Sequence, residues 1–282
     1  MKLDYFALET LKSLQKWEYP ELEMRKDPWN VFIGSGNAFN ICSVFAMKLG
    51  GVAINTSAYK TFLSRHGRKD FPSINYISAS AGKDAVPAAR FLKEKGFQFN
   101  LITVNRDAPS KEFVTGKIFV LPSFKEPPSF NVSTYGSMLY WLLKEDVKKI
   151  QKSISKIEIP DLRKYKNIIF LSDDGHAPIA RIAATKVMES LEGISANGEG
   201  ITHGMHLGYL MQPRDRLVFS INLDLGFEGE EVYRLKDKTY LGSLLSAYYI
   251  IGKSQTERDL RNIEKAYKRQ SEMLGWKFRN IV

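Results

Sequence analysis

The chain has 282 residues, 44% of them hydrophobic and 26% charged, with a formal net charge of +10. This is the composition of a folded globular protein with room for two ordinary domains, and it excludes disorder over most of the length. The positive balance favours anionic partners. Much of it falls in helix-like runs around 144–156 and 258–279, which read as solvated faces, and no zinc-finger or RNA-recognition pattern accompanies them, so nucleic acid is not expected as the ligand.

The N-terminus has charges every few residues and no apolar core, so it is not a signal peptide. No run of about 18 apolar residues predicts a membrane span. Cys42 is the one cysteine and lies in an apolar stretch. It predicts a buried core thiol, no intrachain disulfide and a reducing, cytoplasmic compartment.

In chain order, Leu3, Phe6, Ala7, Leu11 and Leu14 predict an amphipathic helix over 3–18. Pro20 and Pro28 mark a connector. Strands are then expected at 31–33, 52–54, 74–77, 99–104 and 117–121, with helices through Leu49, from 83 to 95 and from 133 to 152. Residues 153–166 are polar, contain Pro160 and read as a linker. The pattern restarts with a strand at 167–171, a helix at 177–191, a loop, a helix at 204–211 and a strand at 217–223. Residues 231–241 are ambiguous between strand and helix, and helices at 243–251 and 257–274 end the chain.

Strand–turn–helix repetition predicts an α/β fold with a mostly parallel sheet flanked by helices in each half, doubly wound and flavodoxin-like. The expected organisation is an N-terminal helix and connector over 1–29, a first unit over 30–155 and a second over 156–282. The first half has a serine-rich turn after its third strand. The corresponding place in the second half, Ser220–Asp224, has none.

That turn, Ser78-Ala79-Ser80-Ala81-Gly82-Lys83, follows a strand and precedes a helix. Small residues let an anion approach the backbone, two hydroxyls can donate, and Lys83 adds a charge. The same sequence also suits a simple helix cap. A dinucleotide site is disfavoured, because Phe39 stands where Gly34-Ser35-Gly36 would need a third glycine.

These stretches, with IGSGNAF at 33–39, STYGSMLYWLL at 133–143 and ATKVMESLEGISANGEGITHG at 184–204, resemble SIS-type sugar isomerase units. The second half resembles the isomerase part of glucosamine-6-phosphate synthase and related deaminases and deglycases. The resemblance implies that Ser35, Ser78, Ser80 and Lys83 hold a sugar phosphate, although Lys83 replaces the usual threonine. It implies that Ser133 and Thr134 border the sugar, that Glu189 carries the proton between C1 and C2, and that His203 opens the ring, reaching a neighbouring subunit's site in a shared-site dimer or tetramer. Partial burial is expected to adapt Glu189 to this role.

The expected activity is aldose–ketose isomerisation, deamination or deglycation of a hexose 6-phosphate or amino-hexose 6-phosphate, with no cofactor and no metal. A non-catalytic phosphosugar sensor is the alternative. About thirty residues precede the first strand in this sequence and no glutaminase domain is among them, so glutamine-dependent synthase activity is not expected. Lys253 and Lys265 are the candidates for a C-terminal site lysine.

Overall fold

The computed structural model describes residues 1–66, 71, 73–82, 84–127, 129–206, 216–224 and 231–274. They form two compact units. Among the described residues, one comprises 17–125 with 137–143; the other comprises 1–16, 126–136 and 144–274.

The first of these is built on a parallel five-stranded sheet of β1 (Val31–Gly34), β2 (Val52–Asn55), β3 (Ile74–Ile77), β4 (Phe99–Thr103) and β5 (Ile118–Val120). Its strand order is β2-β1-β3-β4-β5. Between strands run α2 (Asn37–Leu49), α3 (Tyr59–Ser64) and α4 (Ala85–Glu94). β1 and β3 are buried at every position, as strands covered on both faces must be. Cys42 is fully buried on α2, and burial pushes its thiol well above its ordinary value. This fits the core role expected of it.

The other unit is built on a parallel four-stranded sheet of β6 (Asn167–Ser172), β7 (Ser195–Gly200), β8 (Arg216–Ile221) and β9 (Glu231–Leu235), in the order β7-β6-β8-β9. Its helices include α1 (Leu3–Leu14), α6 (Val147–Ile154), α7 (Ala177–Ser190), α8 (Ile201–His206), α9 (Tyr240–Ser254) and α10 (Glu257–Leu274). The N-terminal helix packs in this unit, on a later part of the chain: α1 lies on α9, and Lys253 pairs with Asp4 at 3.1 Å.

Differences from the sequence expectation have local causes. The long helix expected over 133–152 is two helices, α5 (Val132–Leu143) and α6. Lys144 between them has φ +51, and the Asp146 carboxylate starts α6 afresh by accepting from the amides of Lys148 and Lys149. β7 falls where the sequence predicts a loop, because only Ala196 in it is a larger apolar residue. The strand forms because Gly198 lets it lie against α7: a Cβ there would stand 2.1 Å from the Ala180 carbonyl oxygen. The ambiguous segment resolves into β9 followed by α9, with Thr239 as the α9 cap. The helix expected at 204–211 is instead α8, and 207–215 lie outside the described residues.

Carboxylates close several helix ends in this unit. Glu126 accepts from the amides of Val132 and Ser133 at the start of α5 (2.9 and 3.0 Å). Glu145 accepts from Tyr240 and Leu241 at the start of α9 (3.0 and 2.8 Å). Asp259, 2% exposed, accepts from the amides of Glu192 and Thr256 (2.9 and 2.7 Å) and pairs with Arg163, fastening α10 to the chain leaving α7. Burial opposes its charge, but these amides, the Thr256 hydroxyl and Arg163 outweigh it and hold the carboxyl below its ordinary range.

A depressed folded-state value means that Asp259 stabilises the fold above the ordinary carboxylate range and ceases to do so as pH falls through the depressed value. Asp259→Asn is expected to cost about 1–3 kcal/mol at neutral pH. Urea unfolding between pH 7 and 3 checks this: the gap between variant and wild type should close toward the acid end.

Candidate functional site

Two sets of side chains carry chemistry, one in each unit. In the five-stranded unit, β1 leads to β2 on one side and β3 adjoins β1 on the other, which makes a switch point at the carboxyl ends of β1 and β3. Parallel α/β sheets bind ligands at such places. Ser35 follows β1 and Ser78 follows β3, so the fold brings these two predicted residues to adjacent strand ends. Gly36, with φ +52, makes the sharp turn from Ser35 into α2.

The loop after β3 is held from behind. Thr103 Oγ1 donates to the Ala79 carbonyl and Asn105 Nδ2 to the Ser80 carbonyl, both at 2.8 Å. Ala81 takes a left-handed conformation, φ +46. Ser78 Oγ accepts from the Ala81 amide (3.1 Å) and Ser80 Oγ from the Gly82 amide (3.5 Å). A hydroxyl that accepts still carries its proton to give, so both serines, half-buried, can donate to an anion. Lys83 lies outside the described residues. Beside this loop a cavity of about 360 Å³ is lined by Asn55, Thr56 and Ser57 after β2 and by Asp84, Pro87 and Ala88 at the start of α4. A larger one, about 440 Å³, opens among Arg25, Asn100 and Lys117 at the opposite, amino end of the sheet.

In the other unit, Glu189 lies on the last turn of α7. Its side chain is partly buried, 37% exposed, and Oε2 is 2.6 Å from Lys186 Nζ. Lys186 has no exposed surface. Its ammonium also donates to the Ser129 carbonyl, and it lies 5.8 Å from the Tyr248 ring centroid. Burying a lysine is costly unless its ammonium is paired and hydrogen-bonded, and here both conditions are met.

Around this pair stand further buried titratable groups. Burial raises the carboxyl of Glu126, against the pull of the Ser133 hydroxyl and the amides of 132–134. Tyr248 is fully buried, and its phenol is pushed well up by that burial and by the neighbouring Tyr135, Glu189 and Glu126. Several perturbed groups converging on one lysine mark a functional-site candidate. Sequence reading missed Lys186 because a lysine on an otherwise polar-looking turn reads as solvated. Its placement three residues before Glu189, on one helix face, was the available signal.

Ser133 and Thr134 are 0% and 1% exposed. The Ser133 hydroxyl donates to Glu126 Oε1 at 2.7 Å, so it serves to close the start of α5. His203 lies on α8, 60% exposed at its side chain, with Nδ1 3.1 Å from Glu199 Oε2. Glu199 also receives Arg181; burial opposes its charge, but Arg181, the Gly200 amide and His203 together hold its carboxyl low. Glu189 and His203 thus have separate partners, Lys186 and Glu199. Lys253 is engaged by Asp4 and Lys265 is exposed on α10, whereas the lysine at Glu189 is Lys186.

The turn after β6, expected to be structural or to bind hydroxyls, is a tight polar knot. Asp173 accepts from the His176 amide and meets its Nδ1, both at 2.7 Å, and it receives Asn222 as well. Two carboxylates, Asp173 and Asp174, follow β6 where Ser35 follows β1 in the first unit. Among the described residues, no three His, Cys, Asp or Glu side chains are grouped to hold a metal ion, and no helix is long and apolar enough to cross a membrane.

Comparison with known proteins bears on the fold. No family model matches the sequence, and no curated protein matches it. Solved structures do. Glucosamine-6-phosphate deaminase from Thermotoga maritima is 15% identical with a TM-score of 0.60, covering 89% of each chain. Tagatose-6-phosphate ketose/aldose isomerase from Escherichia coli is 13% identical with a TM-score of 0.59, covering 92% of this chain and 88% of that one. The C-terminal domain of glucosamine-fructose-6-phosphate aminotransferase from Francisella tularensis is 9% identical with a TM-score of 0.54, covering 93% and 94%. The chain shares its α/β fold with these solved structures over most of its length.

Replacing Lys186 by Met keeps the stem but removes the donor to the Ser129 carbonyl, leaving a buried acceptor unsatisfied. The expected loss is about 1–3 kcal/mol of stability by urea unfolding. Lys265→Met, on an exposed face, should leave the midpoint unchanged.

Proposed function

We propose that the chain is a phosphosugar enzyme that moves a proton between C1 and C2 of a hexose 6-phosphate or amino-hexose 6-phosphate, giving aldose–ketose isomerisation or deamination. The observation that carries this reading is the partly exposed Glu189 carboxylate held at 2.6 Å by the fully buried Lys186. The serine loop at the first switch point supports it as the place for the phosphate. Both sheets are read as flavodoxin-like units in which ligands meet the carboxyl ends of the strands.

In this reading Ser35, Ser78 and Ser80 hold the phosphate by hydroxyl donation, with Lys83 adding charge. Glu189 takes the proton from the carbon next to the carbonyl and returns it to the neighbouring carbon, leaving an enediol-type intermediate between the two steps. Lys186 fixes the carboxylate in one orientation, because its own ammonium is immobilised by Ser129. His203, paired with Glu199, serves ring opening, where an imidazole can trade protons near neutral pH. Ser133 and Thr134 act one layer back, holding the start of α5. The protein works without cofactor or metal, as a cytoplasmic homodimer or homotetramer on a small phosphorylated ligand.

The test is proton NMR in heavy water with a panel of hexose and amino-hexose 6-phosphates. Solvent deuterium is expected at C1 or C2 of one of them, and ammonia release then separates deamination from isomerisation. Glu189→Gln is expected to bind that sugar and lose exchange by at least about a hundredfold. Thermal stabilisation by a phosphosugar with no exchange on any sugar would overturn the enzyme reading in favour of a sensor. Exchange undiminished in the Gln variant would remove Glu189 from the mechanism.

A further inference from the structure

The cavity at the amino end of the five-stranded sheet has no part in the proposed reaction. The residues immediately before four of the strands line it: Asn30 before β1, Ser73 before β3, Gln98 before β4 and Lys117 before β5. Ser73 and Ser78 bracket β3, so about 16 Å of strand, at about 3.3 Å per residue, separates this cavity from the serine loop. Its volume of about 440 Å³ is that of a small-molecule site.

Polar side chains run from this cavity into the sheet. Asn75 has no exposed surface, on a strand made otherwise of Ile74, Tyr76 and Ile77. A buried amide is costly unless its hydrogen bonds are made. Here they are made in a row. Asn75 Nδ2 donates to Ser73 Oγ (2.8 Å), and Asn75 Oδ1 accepts from Asn100 Nδ2 (2.9 Å), its register partner on β4. Asn100 Oδ1 in turn accepts from the Lys117 amide (2.8 Å). An apolar pair would join β3 and β4 as well. What the amides add is a fixed Ser73 oxygen, held from behind, with its proton left to donate into the cavity.

The other wall is the connector between α1 and β1, and it is pinned. The Pro20 carbonyl accepts from Trp141 Nε1 (2.7 Å), Asn30 Nδ2 donates to the carbonyls of Arg25 and Leu49 (2.9 and 3.2 Å), and Glu23 pairs with Lys117. Four charged side chains line the cavity: Glu23, Arg25, Asp27 and Lys117. Glu23 and Lys117 neutralise each other. Arg25 and Asp27 remain, one of each sign, with no ion pair among the described residues. Asp27 Oδ1 accepts from the Trp29 amide (2.8 Å), which leaves Oδ2 for a ligand. The buried Phe119 ring supplies an apolar floor.

We propose that this cavity is a second ligand site, separate from the serine loop, for a small zwitterion of the free α-amino acid class. The ligand's carboxylate meets the Arg25 guanidinium, whose planar fork matches it, and takes the Ser73 proton. Its ammonium meets Asp27 Oδ2. A simple anion would be opposed by Asp27 and a simple cation by Arg25, while the Lys117–Glu23 pair favours neither sign. The ligand's own side chain lies toward Phe119 and Gln98. Bound at the end of the sheet away from the serine loop, such a ligand is an effector and not a substrate.

Calorimetric titration of the full chain with the protein α-amino acids tests this. At least one is expected to bind. Its amide, which lacks the carboxylate, and its N-acetyl derivative, which lacks the ammonium, are each expected to bind about tenfold or more weakly. Arg25→Met and Asp27→Asn are expected to weaken the amino acid by a similar factor. Arg25 is exposed, and asparagine keeps an acceptor for the Trp29 amide, so both variants should retain the wild-type Tm. Ser78→Ala is expected to leave the affinity unchanged. Binding by no amino acid overturns the proposal, and so does binding that survives both charge substitutions. Loss of binding in Ser78→Ala moves the ligand to the serine loop and overturns the second site. Undiminished binding of the N-acetyl derivative overturns the zwitterion in favour of a plain anion.

Discussion

A lysine ammonium with no exposed surface can persist only where the fold supplies its hydrogen-bond acceptors and a counter-charge, and Lys186 has both within one small region. Meeting that requirement joins elements far apart in the chain. The Ser129 carbonyl can take its place only if the segment before α5 is held, and Glu126 holds it by closing the start of that helix. The Tyr248 ring forms another wall, on α9, whose own first turn is closed by Glu145. Lys186, Ser129, Glu126 and Tyr248 are all buried; Glu189, beside them, reaches solvent and so can meet a ligand.

The two sheets solve a similar problem with different residues. Each is parallel and each has a switch point between its first and third strands. In the five-stranded unit that point carries small residues and hydroxyls on a loop whose carbonyls are occupied from behind by Thr103 and Asn105, leaving the front for an anion. In the four-stranded unit the same point carries Asp173 and Asp174, which repel an anion and are instead satisfied internally by His176, Asn222 and Thr202. Under the proposed function this asymmetry divides the work of a doubled architecture, with anion binding in one unit and proton chemistry in the other.

Much of this was legible in the sequence. The runs at Val31, Ile74 and Asn167 are apolar and bounded by small-residue turns, which is enough to fix buried parallel strands and the serine loop between β3 and α4. β7 was not legible, because SANGEG has almost no apolar content and its pairing depends on Gly198 admitting the backbone of α7. The break between α5 and α6 was not legible either: Lys144 and Glu145 are good helix formers, and Glu145 leaves the helix to cap α9, ninety-five residues away in sequence. The division of the chain follows from the same long-range packing, since α1 and the segment from 126 to 136 join the sheet that begins at Asn167.

The sequence by itself determined the fold class and the serine loop, because these depend on local composition and on periods of two and 3.6 residues; Glu189 became a candidate through the resemblance to sugar isomerase units, not through local pattern. Tertiary structure alone decided which groups surround that carboxylate. Ser133 became a buried partner of Glu126, and His203 a partner of Glu199. The lysine beside Glu189 is Lys186, three residues earlier, not one from the C-terminal region. Whether a charged residue is solvated or buried is set by what packs over it, and those groups come from α9 and the segment before α5, at sequence separations that no local pattern encodes.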